Sequence, residues 1–193
     1  MSENNLASTQ NLQGKLLIAH PGLSPTNWFY RSVIYVYEHS HIIGATGLVL
    51  NMPSKVTVED LCISYDIDYT WDRSPVYIGG PVSPSKVLML HTGEWYSSNT
   101  GAVTQHYSIS SDYFMFEKLA SGDQPCYWRM FAGTASWAPG QLEAELEGTE
   151  PYTKQKSWLI AEPNDSILFE QDIDKQWHAA TDLSAKQLFD TWL

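Results

Sequence analysis

With 193 residues, 43% of them hydrophobic and 13% aromatic, the chain can bury one sizeable core but would be cramped as two domains. Its 22 acidic and 11 basic side chains leave a formal charge of -11, a field that repels phosphate backbones and disfavours unaided, sequence-independent grip on DNA or RNA. No run approaches the about 18 apolar residues of a membrane span, and the polar start lacks a basic stretch leading into an apolar one, so a cytoplasmic protein is expected.

Residues 1–11 read as a flexible arm ahead of a single domain over 12–193. Leu16-Leu17-Ile18-Ala19 is a short buried-strand pattern stopped by Pro21-Gly22. Pro25-Thr26-Asn27 opens a turn carrying Trp28 and Phe29. Val33 to Tyr37 and Ala45 to Leu50 form a β-branched and aromatic pair of antiparallel strands, covered on both faces because their apolarity is nearly continuous. Thr57 is placed to cap a short helix in which Val58 and Leu61 share a face. After a tyrosine- and aspartate-rich loop, Val76-Tyr77-Ile78 is a strand ending in Gly79-Gly80-Pro81, and Lys86 to His91 is another.

Ser111 is expected to cap a helix presenting Met115, Phe116, Leu119 and Ala120, with Gly122 just past its end. Cys126 to Phe131 reads as a strand. Pro139 suits the first turn of a helix that Gly148 stops, with Leu142 and Leu146 inward and Glu143, Glu145 and Glu147 solvated. Trp158 to Ala161 is the last strand. Ser184 and Gln187 have the spacing of a capping box for a terminal helix burying Leu188 and Trp192. Strands outnumber helices without regular alternation, which predicts an α+β fold: a single compact domain around a large mixed, mainly antiparallel sheet flanked by helices. From Pro139 to Asp174 nine acidic side chains face two basic ones, an asymmetry read first as a solvated surface.

No segment of the sequence supplies a nucleophile elbow, phosphate loop or zinc-ligand spacing. Ser32 and Glu38 share strand parity six positions apart, roughly 20 Å along an extended strand, too far to cooperate directly. His39-Ser40-His41 puts two imidazoles on one side if extended, but reads as exposed turn histidines; no metal and no cofactor is expected. Cys62 and Cys126 stand apart and are expected to be reduced. Arg31, between Tyr30 and an apolar strand, is expected to be partly buried and paired with Glu38, Glu143 or another core-edge acid.

The order and spacing of several short pieces carry a resemblance. They are Gly14 with Leu16-Leu17-Ile18-Ala19 and Pro21, then Phe29, Arg31-Ser32-Val33, Glu38-His39, Gly44-Ala45, Gly47-Leu48-Val49 and Asn51. Val76-Tyr77-Ile78-Gly79-Gly80-Pro81-Val82, Leu90-His91, Trp137 and Pro139-Gly140-Gln141-Leu142-Glu143 follow. From about Leu12 to the C-terminal region the chain resembles the YqgE/AlgH family of bacterial proteins. That resemblance implies a compact α+β fold, a cytoplasmic setting and a name linked to transcriptional regulation, but no catalysed reaction. Where the family tends to carry glycines, this chain has Ser136 and Ala138, which puts in doubt any close ligand approach those glycines allow.

The expected function is therefore binding or regulation through an unidentified protein partner or small ligand. The expected surface is built from Arg31, Ser32, His39, Asn51, Gly80, His91, Trp137 and Gln141, at strand ends and turns on a rigid frame. Asn51 and Gln141 offer both donors and acceptors to a polar ligand. The rival reading is an enzyme or binder for a small anionic or nucleotide ligand, with Arg31 as clamp and His39 or His91 as base.

Overall fold

The computed structural model describes residues 11–71 and 73–191. In chain order it contains β1 (Leu16–Ala19), β2 (Val33–Ser40), β3 (Gly44–Val49), β4 (Pro53–Thr57), α1 (Val58–Ser64), β5 (Pro75–Ile78) and β6 (Val82–Thr92). There follow β7 (Thr100–Ala102), β8 (Tyr107–Ser110), α2 (Tyr113–Ala120), β9 (Trp128–Trp137), α3 (Gln141–Glu147), β10 (Trp158–Ala161), a π-helical turn (Ser166–Glu170) and α4 (Ile173–Asp190). The sheet runs β10-β1-β2-β3-β9-β6-β8-β7, with β5 beside β9 and β4 beside β5. All its pairings are antiparallel except β5 with β9. This is the expected α+β architecture, a curled, mainly antiparallel sheet flanked by helices.

The two-faced apolarity of the first strands has a direct cause. Leu16, Ile18, Val33 and Tyr35 point to one core, with Ala180 of α4 and Leu168. Leu17, Ala19, Ile34 and Val36 point to the other, with Trp137 and Leu142 of α3. Each strand thus lies between two layers and keeps no polar face. A third cluster forms where α1 and α2 bring Val58, Cys62, Met115, Phe116 and Leu119 against Met89 and Met130. Thr57 caps α1 as its sequence predicts, in a reciprocal box with Asp60.

Leu12 is buried and its N–H donates to His39, and Gln13 Nε2 donates to the Val103 carbonyl, so the chain is anchored at residue 12. The expected arm, apart from Asn11, lies outside the described residues. Other expectations are corrected. Asp112, not Ser111, caps α2, because the Ser111 hydroxyl is already donated to the Val87 carbonyl of β6. β6 starts at Val82 and β9 runs from Trp128 to Trp137, so Trp137 ends a strand that was expected to stop at Phe131. α3 begins at Gln141 behind a left-handed Gly140, which leaves Pro139 outside the helix.

The terminal helix differs most. α4 starts behind Asp172 and runs through Ser184 and Gln187, so these two cap nothing. They face β10, an edge strand with unpaired backbone groups. Ser184 Oγ donates to the Ile160 carbonyl at 2.8 Å. The Gln187 amide receives the Glu162 N–H at 2.7 Å and donates to its carbonyl at 3.1 Å, standing in for a missing neighbour strand. Leu188 is 63% exposed rather than buried, and Trp192 lies outside the described residues. Among the described residues no helix is long and apolar enough to cross a membrane.

Candidate functional site

The residues singled out by sequence fall into separate groups. Arg31, Ser32 and Asn51 form the first. Arg31 takes a left-handed backbone, φ 55°, and Asn51 holds it there. Asn51 Nδ2 donates to the Arg31 carbonyl at 2.8 Å, and its Oδ1 accepts the Val33 N–H at 3.0 Å. Both ends of that amide are therefore spent on the chain itself. Ser32 is buried rather than presented at the surface.

The Arg31 side chain is exposed and, among the described residues, has no carboxylate within ion-pair reach. It lies over the rings of Tyr30 and Trp177, each 5.3 Å from the guanidinium carbon. The expected acid partner is thus replaced by aromatic faces. The buried guanidinium belongs instead to Arg129, which donates to the Leu50 and Phe169 carbonyls, both at 3.0 Å, and lies over Tyr77. Burial lowers its pKa.

His91 stands elsewhere and is fully buried. Its Nδ1–H donates to the Thr92 carbonyl at 2.8 Å, leaving Nε2 to accept the Ser110 hydroxyl at 2.9 Å. The pair resembles a serine–histidine dyad but is sealed in the core between β6 and β8. Burial also depresses the pKa of the imidazole. His91 is a neutral structural histidine, not an accessible base. Gly80 is likewise structural: its backbone passes so close to Thr134 and Ala135 of β9 that no side chain fits.

The remaining three, His39, Trp137 and Gln141, come together at α3. A β-bulge does this. The β2–β3 register slips between Val36 and Glu38, so His39 stands opposite Ala45, which in turn stands opposite Trp137. The slip reverses the side-chain alternation. His39 joins the face of Ile34 and Val36 under α3, whereas Glu38 turns away from Ser32's side of the sheet to line a groove with Leu88 and Ile109.

Two glutamates of α3, expected to be solvated, close this layer. Glu143 Oε1 lies 3.1 Å from His39 Nε2 and 3.0 Å from His41 Nδ1. Two imidazoles and a carboxylate have the composition of a metal centre, with ligand atoms all within 4.8 Å of one another. The tautomer argues otherwise. His39 Nδ1 accepts the Leu12 N–H at 3.1 Å, so the ring proton resides on Nε2, the atom a metal would need. The cluster is built as a hydrogen-bond relay to Glu143.

Burial would push the Glu143 carboxyl up, but hydrogen bonds from its own backbone N–H, His39 and His41 outweigh it and hold the pKa below the ordinary value. A depressed carboxylate stabilises the fold above its unfolded pKa and loses that contribution as pH falls through its folded value. Glu143→Gln is therefore expected to cost about 1–2 kcal/mol at neutral pH and progressively less below about pH 4. Urea midpoints measured from neutral to acid pH will show the two proteins converging. A constant gap across that range would assign the loss to packing.

Glu145 does something different. Its Oε2 accepts two indole N–H groups, Trp137 at 3.0 Å and Trp158 at 2.7 Å, and its Oε1 accepts Gln141 Nε2 at 2.9 Å. Gln141 Oε1 in turn accepts the Ala138 N–H at 3.1 Å, so this amide too is used internally. Around the carboxylate the rings interlock. Phe29 is stacked at 6.3 Å on Trp137 and edge-on at 5.5 Å to Trp158, and Trp28 is edge-on to Phe29 at 4.8 Å.

Trp28, Phe29, Trp137, Tyr152, Trp158 and Glu145 line a cleft of about 390 Å³, joined by Ser136 among smaller side chains. Ser136 and Ala138, the two departures from the family's glycines, are both exposed. Sequence reasoning found Trp137 and Gln141 but missed Glu145, Trp158 and Tyr152. The signal was present as tryptophans beside an acidic helix. Only the antiparallel return of β10 across β1 brings Trp158 to Trp137.

A family profile described as AlgH-like matches residues 16–188. A UPF0301 protein from Shewanella denitrificans is 34% identical over 186 residues, covering 94% of each chain. One from Gluconobacter oxydans is 36% identical over 172 residues, covering 88% of each. Among solved structures, the AlgH protein from Pseudomonas aeruginosa superimposes with a TM-score of 0.73 at 27% identity, covering 95% of this chain and 92% of that one. A Corynebacterium diphtheriae protein shares the fold at TM-score 0.67 and 24% identity, over 89% of this chain and 86% of its own.

Proposed function

As the chain belongs to the AlgH-like family, we propose that it is a cytoplasmic binding or regulatory module without a reaction of its own, and that its ligand occupies the cleft beside α3. One observation carries this reading. Five aromatic side chains and a carboxylate fixed by three N–H donors surround a cleft of about 390 Å³, within the size range of small-molecule sites. The floor is rigid, since Trp137 and Trp158 are tied to the same oxygen. The rim is accessible, since Trp28 is 42% exposed. Any link to transcription would then run through a ligand or a protein partner, because the charge of -11 opposes unaided contact with nucleic acid.

Thermal denaturation against a metabolite panel tests the reading. A compound present at 100 times its Kd adds about 2.7 kcal/mol of stability, which for a domain of this size raises the Tm by roughly 5–10 °C. At least one panel member is expected to do so, and Trp28→Ala is expected to reduce that shift while leaving the unliganded Tm nearly unchanged. Turnover of a panel compound, lost on changing His39 or Arg31, would replace this reading with the enzyme reading.

A further inference from the structure

Building on the α3 cleft as the binding site, we infer that its ligand is a small organic cation with an alkylated, quaternary ammonium head. The lining chemistry selects it. The faces of aromatic rings carry negative potential and attract cations. Among the described residues that line the cleft there are four indole or phenyl rings and one phenol, with one carboxylate and no lysine or arginine. Glu145 has no basic side chain within ion-pair reach among the described residues, so its charge is held by neutral N–H donors alone. A phosphate or carboxylate ligand would meet that charge with no basic side chain in the lining to offset it.

The hydrogen bonding narrows the class further. Both Glu145 oxygens already accept bonds, Oε2 from two indoles, so neither is bare for a hard metal ion that demands several oxygen ligands. A primary ammonium wants three acceptors of its own. An alkylated ammonium asks for none. It is weakly hydrated, presents methyl groups to the rings, and takes its attraction from the carboxylate's field and from the exposed rim rings Trp28 and Tyr152, without displacing either of the buried indoles. The volume of about 390 Å³ admits such a head together with a short substituent, which fits a free metabolite.

Calorimetric titration with tetramethylammonium and choline, beside 3,3-dimethylbutan-1-ol, the uncharged carbon isostere of choline, tests this. Both cations are expected to bind at least about tenfold more tightly than the isostere. Trp28→Ala is expected to weaken the cations about tenfold. Glu145→Gln keeps an acceptor for the two indoles and removes the charge, giving up the bond from Gln141 Nε2; it should weaken the cations and leave the isostere unchanged, which a purely structural role for Glu145 would not do. Equal affinity for cation and isostere would overturn the inference and leave a merely apolar cleft. Tighter capture of a trimethyl-lysine peptide than of choline would overturn the commitment to a free metabolite. If neither cation binds but another panel compound does, with Trp28→Ala sensitivity, the inference fails and the cleft stands as the site. If nothing binds there, both fall.

Discussion

Gly80→Ala is expected to abolish the cooperative fold, or to cost any surviving folded protein more than about 4 kcal/mol. Gly80 sits at φ 153°, and a Cβ built on it would lie 2.2 Å from the Ala135 nitrogen and 2.2 Å from the Thr134 carbonyl carbon. Those atoms are backbone in β9, so no rotamer change relieves the clash. The neighbouring residue shows why the chain cannot back away. Gly79 donates to the Ala132 carbonyl and accepts from the Val49 N–H, both at 2.9 Å, which ties the end of β5 between β9 and β3. Separating the two backbones would break the junction on which the sheet turns. Gly101→Ala is the control, since a Cβ there meets nothing within 4 Å; it should change stability by under about 1 kcal/mol. Denaturant midpoints decide the matter, and a near-native midpoint for Gly80→Ala would mean that β5 and β9 do not meet as described.

The second large effect concerns Glu145. Truncation to alanine strands two indole N–H groups at Trp137 and Trp158, whose residues are only 4% and 3% exposed. A buried donor left without a partner costs about 1–3 kcal/mol, so Glu145→Ala is expected to lose about 3–5 kcal/mol in all. Glu145→Gln should lose under about 2 kcal/mol, because one amide oxygen can still take both indoles. A double-mutant cycle makes the assignment. In a Trp158→Phe background the alanine change should be cheaper by about 1–2 kcal/mol, since one of the stranded donors is already gone. Additive costs would show that Glu145 stabilises α3 by other means. The same carboxylate thus fixes the cleft floor and supplies its charge, and the alanine and glutamine variants separate these two contributions.

The strand pattern was legible because burial on both faces leaves unbroken apolar runs, as in Leu16 to Ala19 and Val33 to Val36. The Thr57 box was legible because capping is local chemistry, settled within four residues. The expectations that failed depended on groups distant in sequence. Ser111 looked like a cap until Val87 claimed its hydroxyl. Ser184 and Gln187 had the spacing of a box until an edge strand claimed both. Arg31 looked buried because its sequence neighbours are apolar, but the left-handed turn held by Asn51 leaves its side chain outside.

By itself, then, the sequence determined the fold class, the strand pairing around β2 and β3, the family, and the glycine pair at the end of β5. Burial and local sterics act on neighbours along the chain, and a linear reading captures them. Tertiary structure alone decided where the site is. One bulged residue reversed the alternation of β2 and brought His39 beneath α3. The pairing of β10 with β1 carried Trp158 to Trp137, so that a glutamate that looked solvated became the shared acceptor of two indoles. Such contacts join residues through the register of the sheet, and register is a property of the whole assembled set of strands.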